Sequence, residues 1–448
     1  MYPTKFNVIL NSKIKPFNKS IKVDSDKSLS IRSFLIGSIS RGVSVLNGIL
    51  ESEDIFSTIK ACRKLGIKIE KIKPGNYKVF GKGIGSFSAK KNTLLNFGNS
   101  GTLARLLIGI LSTTPNIEIK VTGDKSLKKR NMKKLIELMN SFGAKFLPKD
   151  KHTFPLNIIS SNFPIGIKYD AGVSAQLKSA VILAGINSNG NTIIKEKVKS
   201  RDHTENLLMK NSQTIKIKKG KKKTIEIFGK RNLNRFKINI GGDPSSAAFF
   251  TALTLMSKNS SIKIKNVGLN PSRIGFYKIL KQHKAKIKFL NIKKDNNELK
   301  GDIVVKSCKL KPIKAEAYMY PSTTDEYLLL FLIGSMQDGI STFKGISDLS
   351  NKESSRAYEM KKILNKIGIK CKLSKDIMKI YGKGEIKAKN KIIIINSLGD
   401  HRIAMCSFLL SILTNIKMKI INFETVFTSS PSFLKIMKSL GAKYEIQK

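Results

Sequence analysis

The 448-residue chain has no tryptophan, four cysteines, four histidines, and 31 acidic residues against 83 basic ones. Each shortage excludes something. Cys62, Cys308, Cys371 and Cys406 stand alone without CxxC spacing, which argues against a disulfide scaffold and for reduced, buried thiols. The histidines at 152, 203, 283 and 401 are too scattered to bracket a metal, so no metal site is expected. No stretch approaches the roughly 18 apolar residues of a membrane span. The best, Tyr327 to Met336, is too short, and the first residues read as a strand rather than a cleavable leader. The expectation is a cytoplasmic protein with no membrane partner.

What is abundant is positive charge, +52 in all. Such a balance first suggests a polyanion such as nucleic acid. Its make-up points elsewhere: 72 of the basic residues are lysine and eleven are arginine. Lysine, isoleucine and asparagine are common throughout, as an AT-rich bacterial genome produces. Groove readers lean on arginine, stacked aromatics and basic stripes, and none of these is concentrated here. The one dense run, Lys218 to Lys223, reads as a solvated loop. No nucleic-acid partner is expected, although a basic nucleic-acid-binding protein stays an alternative from another class. It would show steep salt dependence of binding.

At roughly 100–200 residues per domain the length suggests two domains. An internal period refines this. KLGIKIE (64–70), SFGAKF (141–146), KIGIKCK (366–372) and SLGAKYE (439–445) repeat, with degenerate copies NSQTIKIK (211–218) and QHKAKIKF (282–289). With Gly66, Gly143, Gln213, Lys284, Gly368 and Gly441 as markers, the steps are 77, 70, 71, 84 and 73 residues. Each phrase follows an amphipathic stretch, so the glycine reads as a left-handed helix cap and the alternation after it as a strand. A second, more apolar helix recurs at 27–40, 99–112, 173–186, 243–256, 323–336 and 400–413. Helices apolar on nearly every face must be buried. Six units, three to a lobe, give two similar lobes that change over at Gly241–Gly242.

Each apolar helix begins with Ser, Thr, Asp, Asn or a basic residue. Plain N-capping explains about half of this. It does not explain cations in the first turns, where the helix dipole disfavours them. Anions at the helix starts would, with amides, Lys and Arg converging on a shared cleft. The arginines sharpen the case. Where lysine has replaced arginine wherever it could, the survivors mark places needing a planar bidentate fork. Arg32, Arg105, Arg130, Arg201, Arg356 and Arg402 fall in these helix starts or in turns feeding the amphipathic helices. The pattern implies small, doubly anionic ligands; ordinary salt bridges are the competing explanation for any single one.

In order along the chain, DKSLSIRS, GNSGTLARLL, GDKSLKKRNM, SAQLKSA, SRDHTE, GDPSSAAFF, DEY, KESSR and GDHRIAM resemble the motifs of the EPSP synthase (3-phosphoshikimate 1-carboxyvinyltransferase) family, in its second class. The resemblance runs from about residue 20 to 435. It implies an α/β fold, a two-lobed inside-out α/β barrel of six βαβαββ repeats with helices inside and sheets outside. The lobes would be 23–240 and 1–22 plus 241–448. The reaction implied is transfer of the enolpyruvyl group of phosphoenolpyruvate to the 5-hydroxyl of 3-phosphoshikimate, with release of phosphate, in the shikimate pathway to chorismate and aromatic amino acids. No cofactor is implied, and the expected state is a monomer.

Carried over residue by residue, the resemblance implies 3-phosphoshikimate contacts at Lys27, Ser28, Arg32, Ser174, Ala175, Gln176, Asp325 and Lys352. Ala175 stands where some relatives have a second serine. It implies phosphoenolpyruvate contacts at Lys27, Gly101, Arg130, Gln176, Arg356 and Arg402. Asp325 near the attacking hydroxyl, Glu353 near the reacting carbons and Lys27 would be catalytic. Asp54, Asn99, Asp243, Ser245, Asp400 and His401 read equally as caps and supports, and Glu326 as ion-pair support or a direct participant. Asn131 replaces a proline usual after the arginine of GDKSLKKR. The within-class competitor, an enolpyruvyl transferase acting on UDP-N-acetylglucosamine, should carry a cysteine loop near the first-lobe pocket, whereas Cys62 lies in an amphipathic stretch.

Overall fold

The computed structural model describes residues 5–218, 220, 223–386 and 392–448. Most of the interior of the basic run at 218–223 lies outside the described residues. Two compact units emerge: Ser25–Ile240 with Lys294–Glu298, and Met1–Asp24 with Gly241–Lys293 and Leu299–Lys448. Each has its own apolar core.

Six helices carry those cores: α1 (Lys27–Ile39), α2 (Gly101–Thr113), α3 (Ala175–Ile186), α4 (Pro244–Met256), α5 (Tyr327–Ser335) and α6 (His401–Thr414). All fourteen residues of α6 are buried, as are all of α4 except Met256. Burying a large aliphatic or aromatic side chain contributes about 1.5–3 kcal/mol, so these helices are central to each unit's stability. Small residues let them approach one another. A Cβ on Gly109 of α2 would lie 2.6 Å from the Ala180 carbonyl oxygen of α3. The fifth helix begins at Tyr327 rather than 323, because a separate short helix, Tyr320–Thr323, precedes it and the chain turns at Thr324–Glu326.

Each apolar helix belongs to one open sheet. In the second repeat, strand Thr93–Asn96 runs parallel to Glu118–Thr122 on the far side of α2, and the hairpin Lys145–Leu147/Leu156–Ile159 adds antiparallel to it. The third repeat copies this order with 168–171, 191–196, 223–228 and 215–218. Residues 233–239 close the first sheet by running parallel to Ser40–Asn47. In the other unit the N-terminal segment completes two sheets. Asn18–Ile21 pairs parallel with Ser261–Gly268, and Asn7–Leu10 pairs antiparallel with Met418–Ile421 and Glu445–Gln447. The fold is thus α/β with βαβαββ repeats. Among the described residues five sheets have four strands and one has five, and no single sheet closes on itself.

The repeat glycines do what their spacing suggested. Gly66, Gly143, Gly368 and Gly441 all have φ between 84° and 94°, the left-handed cap conformation. Lys284 adopts it with a side chain (φ 63°), whereas Gln213 does not appear among the positive-φ residues. The third repeat instead ends its second helix at Leu208 and passes through a turn to Ile215. Two Gly-Lys-Gly phrases, at 81–83 and 382–384, are explained by crowding. A Cβ on Gly81 or Gly382 would sit 2.2 Å from the carbonyl oxygen of Ser40 or Gln337, where a sheet strand passes over the end of α1 or α5.

Candidate active site

In the unit built on α1, α2 and α3, three helix starts are tied together by side chains. Asp26, Ser100 and Ser174 cap them, accepting from the amides of Leu29, Leu103 and Leu177. Arg32, buried, donates through Nε to Thr204 Oγ1 (2.9 Å), through Nη1 to the Ser28 carbonyl (3.0 Å) and through Nη2 to Ser179 Oγ on α3 (3.2 Å). Ser28 therefore orients Arg32 through its backbone. Gln176 joins α3 to α2: its Oε1 accepts from Arg105 Nη1 (2.9 Å) and its Nε2 donates to Thr102 Oγ1 (3.0 Å). Arg130 Nη2 donates to Asn99 Oδ1 at 2.5 Å. A Cβ on Gly101 would meet Arg130 Nη1 at 2.7 Å and Arg105 Nη1 at 2.8 Å, so glycine there is what lets two guanidiniums reach the first turn of α2. Lys27 Nζ sits 3.1 Å from buried Asp54. Asn131 accepts from the Lys133 amide (2.7 Å), supporting the next helix start in place of proline.

Beneath this surface lies a buried charge cluster. Lys178 Nζ is 2.7 Å from both Glu196 Oε1 and Glu205 Oε1, and Lys223 reaches the same two carboxylates at 3.3 and 3.2 Å. Burial works against ionised Glu196, but Lys178, the Ser200 amide and Lys223 outweigh it and hold its carboxyl below the usual range. Burial also opposes the Lys223 charge, and Glu205 and Glu196 outweigh it and raise its pKa. His203 Nδ1 and Glu298 Oε1 are 2.8 Å apart, both buried.

In the other unit the corresponding starts carry carboxylates. Arg356, 1% exposed, donates through Nε to Asp400 Oδ2 (2.9 Å), through Nη2 to Glu353 Oε2 (2.6 Å) and through Nη1 to Asp325 Oδ1 (3.4 Å). Burial alone would lower its pKa; Asp400, Glu353 and Asp325 together raise it, so it stays a cation. Arg402 Nε lies 3.7 Å from Asp325 Oδ1, and Asp400 caps α6 through the Arg402 amide. Lys352 stands apart from these pairs: its Nζ binds Asp348 at 2.6 Å, and Asp348 also accepts from Tyr320. Asp243 caps α4, while Ser245 Oγ donates to Glu326 Oε1. Among the described residues, no group of three or more His, Cys, Asp or Glu could hold a metal ion, and no helix is long and apolar enough to cross a membrane.

Seven arginines are buried or half-buried, and Arg41, Arg63, Arg231 and Arg235 are exposed. Six of the seven are those singled out from the sequence. The seventh, Arg273, 2% exposed, binds Asp243 and Ser245, each at 3.0 Å. It lies in a turn with no helix-start signature to announce it. Thr204, Ser179, Lys178 and Glu196 were also missed. Lys178 is one lysine among 72, and only tertiary burial distinguishes it.

The family model of EPSP synthase (3-phosphoshikimate 1-carboxyvinyltransferase) matches residues 11–437. The chain belongs to this family. It is 34% identical over 431 residues to the 3-phosphoshikimate 1-carboxyvinyltransferase of Paramagnetospirillum magneticum, covering 96% of each chain. With the enzyme of that name from Caldicellulosiruptor bescii it shares 37% over 440 residues, 98% of this chain and 100% of the other. The structure of EPSP synthase from Acinetobacter baumannii superposes with a TM-score of 0.84 at 34% identity, covering 99% of this chain and 100% of that one. Membership accounts for the motif order read from the sequence and makes the chain a transferase.

Proposed function

We propose that the chain transfers the enolpyruvyl group of phosphoenolpyruvate to the 5-hydroxyl of 3-phosphoshikimate, releasing phosphate, as its family and its named relatives indicate. The reaction protonates the methylene carbon, forms a C–O bond at the neighbouring carbon as the hydroxyl loses its proton, and then eliminates phosphate with return of a proton from the new methyl group. It requires a carboxylate to receive the hydroxyl proton, an acid facing the methylene carbon, and cations for a phosphate and a carboxylate. Asp325 takes the first role and Glu353 the second. Lys27, Ser28, Arg32, Ser174, Ala175, Gln176, Asp325 and Lys352 bind 3-phosphoshikimate; Lys27, Gly101, Arg130, Gln176, Arg356 and Arg402 bind phosphoenolpyruvate, and Lys27 is catalytic as well.

The observation that carries this reading is the placement of Asp325 and Glu353 on one buried guanidinium, with Arg402 beside Asp325. Opposed charges packed this closely are the usual means of tuning acid and base groups. We further place the protein in the cytoplasm as a monomer without nucleic-acid or membrane partners. The deciding experiment is phosphate release from phosphoenolpyruvate with and without 3-phosphoshikimate. Release that requires both substrates supports the reading. Release dependent instead on UDP-N-acetylglucosamine, or no release together with salt-sensitive DNA or RNA binding, replaces it.

A further inference from the structure

We propose that Arg273, Ser245 and Glu326 act as positioning residues for Asp325, forming a buried clamp that fixes the carboxylate from both sides of the chain; the inference rests on Asp325 being the base of the reaction proposed above. Asp325 lies in the break between the short helix Tyr320–Thr323 and α5, where no regular backbone ladder holds it. The residue after it, Glu326, occupies the N-cap position of α5 and yet makes no side-chain cap. Its carboxylate turns sideways and accepts from Ser245 Oγ at the start of α4. Arg273 Nη2 holds Ser245 Oγ and the α4 cap Asp243, both at 3.0 Å.

The same turn grips the other side. Gly275, two residues after Arg273, lies so close to Ser322 and Thr323 that a Cβ there would meet Thr323 Oγ1 at 2.1 Å and Ser322 Oγ at 2.3 Å. The Glu326 amide then donates back to the Thr323 carbonyl at 2.8 Å, and the Glu326 carbonyl accepts from Leu329 and Leu330. Residues 273–275 thus pack against Ser322 and Thr323, two to three residues before Asp325, and, through Ser245, hold Glu326 directly after it.

A purely architectural role does not call for this chemistry. Serine, threonine or aspartate would start the helix through a local cap, and burying a glutamate and an arginine is costly unless both are engaged. What the arrangement adds is definition of where Asp325 stands relative to Arg356 and Arg402. A carboxylate displaced by about 1 Å loses on the order of a hundredfold in rate.

The test compares Glu326→Ala, Glu326→Gln and Ser245→Ala with Asp325→Asn, reading kcat, both KM values and the urea midpoint of the full chain. Clamping predicts that Glu326→Ala lowers kcat by about 30- to 100-fold with the KM for phosphoenolpyruvate within about threefold, any rise being confined to the KM for 3-phosphoshikimate, which Asp325 also contacts. Ser245→Ala should give a smaller loss of the same kind, and Glu326→Gln, which still accepts from Ser245, should recover most of the rate. Full activity per folded molecule in both Glu326→Ala and Ser245→Ala, with Asp325→Asn inactive, overturns the clamp. Parallel loss of kcat and rise of both KM values also overturns it, as a general structural role would produce. Should Glu326→Ala fail to fold, Ser245→Ala decides alone. Turnover retained by Asp325→Asn sinks the assignment of the base instead, which separates the two failures.

Discussion

Arg356 Nη2 donates to Glu353 Oε2 at 2.6 Å, so the guanidinium assigned to phosphoenolpyruvate is already engaged by the carboxylate assigned to its protonation. A substrate carboxylate arriving at Arg356 has to share or displace Glu353. Two effects of Glu353→Gln then point in opposite directions. Without the acid, kcat should fall by about 10²- to 10⁴-fold. With the competing charge gone, phosphoenolpyruvate should bind at least as tightly as before. Titration calorimetry on the variant reads the second effect separately from turnover. Binding weakened several-fold by the substitution would show that Glu353 assists the anion rather than competing with it.

Gly101→Ala places a methyl group against two guanidiniums, at 2.7 and 2.8 Å from the Nη1 atoms of Arg130 and Arg105. Both are ends of flexible side chains, so they can yield and the fold should survive. Their displacement also disturbs Gln176, which accepts from Arg105. The expected outcome is a rise of about tenfold in KM for phosphoenolpyruvate, about 1.4 kcal/mol, with the thermal midpoint unchanged. Steady-state kinetics and a melting scan check it together. An unchanged KM would remove Arg130 from the binding set.

The cysteines offer a probe of burial. Burial pushes the thiols of Cys62 and Cys371 up to about 12, and that of Cys406 higher still, while Cys308 is only half-buried. At pH 8 a thiol of pKa 12 is about 10⁻⁴ thiolate, and the thiolate is the reactive form. A chromogenic disulfide reagent should therefore titrate one thiol quickly in the native protein and all four in guanidinium. Two or more fast equivalents under native conditions would contradict the burial of these helices and strands.

Much of this arrangement was readable because composition made exceptions visible. Against 72 lysines, an arginine stands out, and the six at helix starts or in the turns feeding the next helices are all buried or half-buried. The apolar helices announced themselves by having no polar face. The failures have physical causes. Gln213 does not mark a left-handed cap because the third repeat leaves its helix earlier, at Leu208. The fifth helix begins late because the chain turns at Thr324–Glu326 after the separate short helix Tyr320–Thr323. Arg273 is paired across 28 to 30 residues, and Lys178 with Glu196 and Glu205 across 18 and 27. No local pattern encodes such pairings.

Lys178 therefore supplies the sharpest stability test. Lys178→Met leaves Glu196 and Glu205 buried with only Lys223 nearby, and breaking a buried ion cluster in this way costs about 3–5 kcal/mol. The deficit should depend on pH. In the native protein Glu196 is held below its ordinary 4.5, so its ionisation stabilises the fold above that value, and the contribution is lost as pH falls through the depressed pKa. In the variant the chief cation is gone and burial dominates, which raises the carboxyl and reverses the sign: the folded state is then favoured by protonation and penalised as pH rises. The gap between the two proteins should be widest near pH 7.5 and narrow toward pH 5. Lys223, whose raised pKa bears only on alkaline conditions, does not alter this window. Urea titrations of both proteins at the two pH values measure the gap. An equal deficit at both would mean that lost packing, and not the stranded carboxylates, is what the substitution costs.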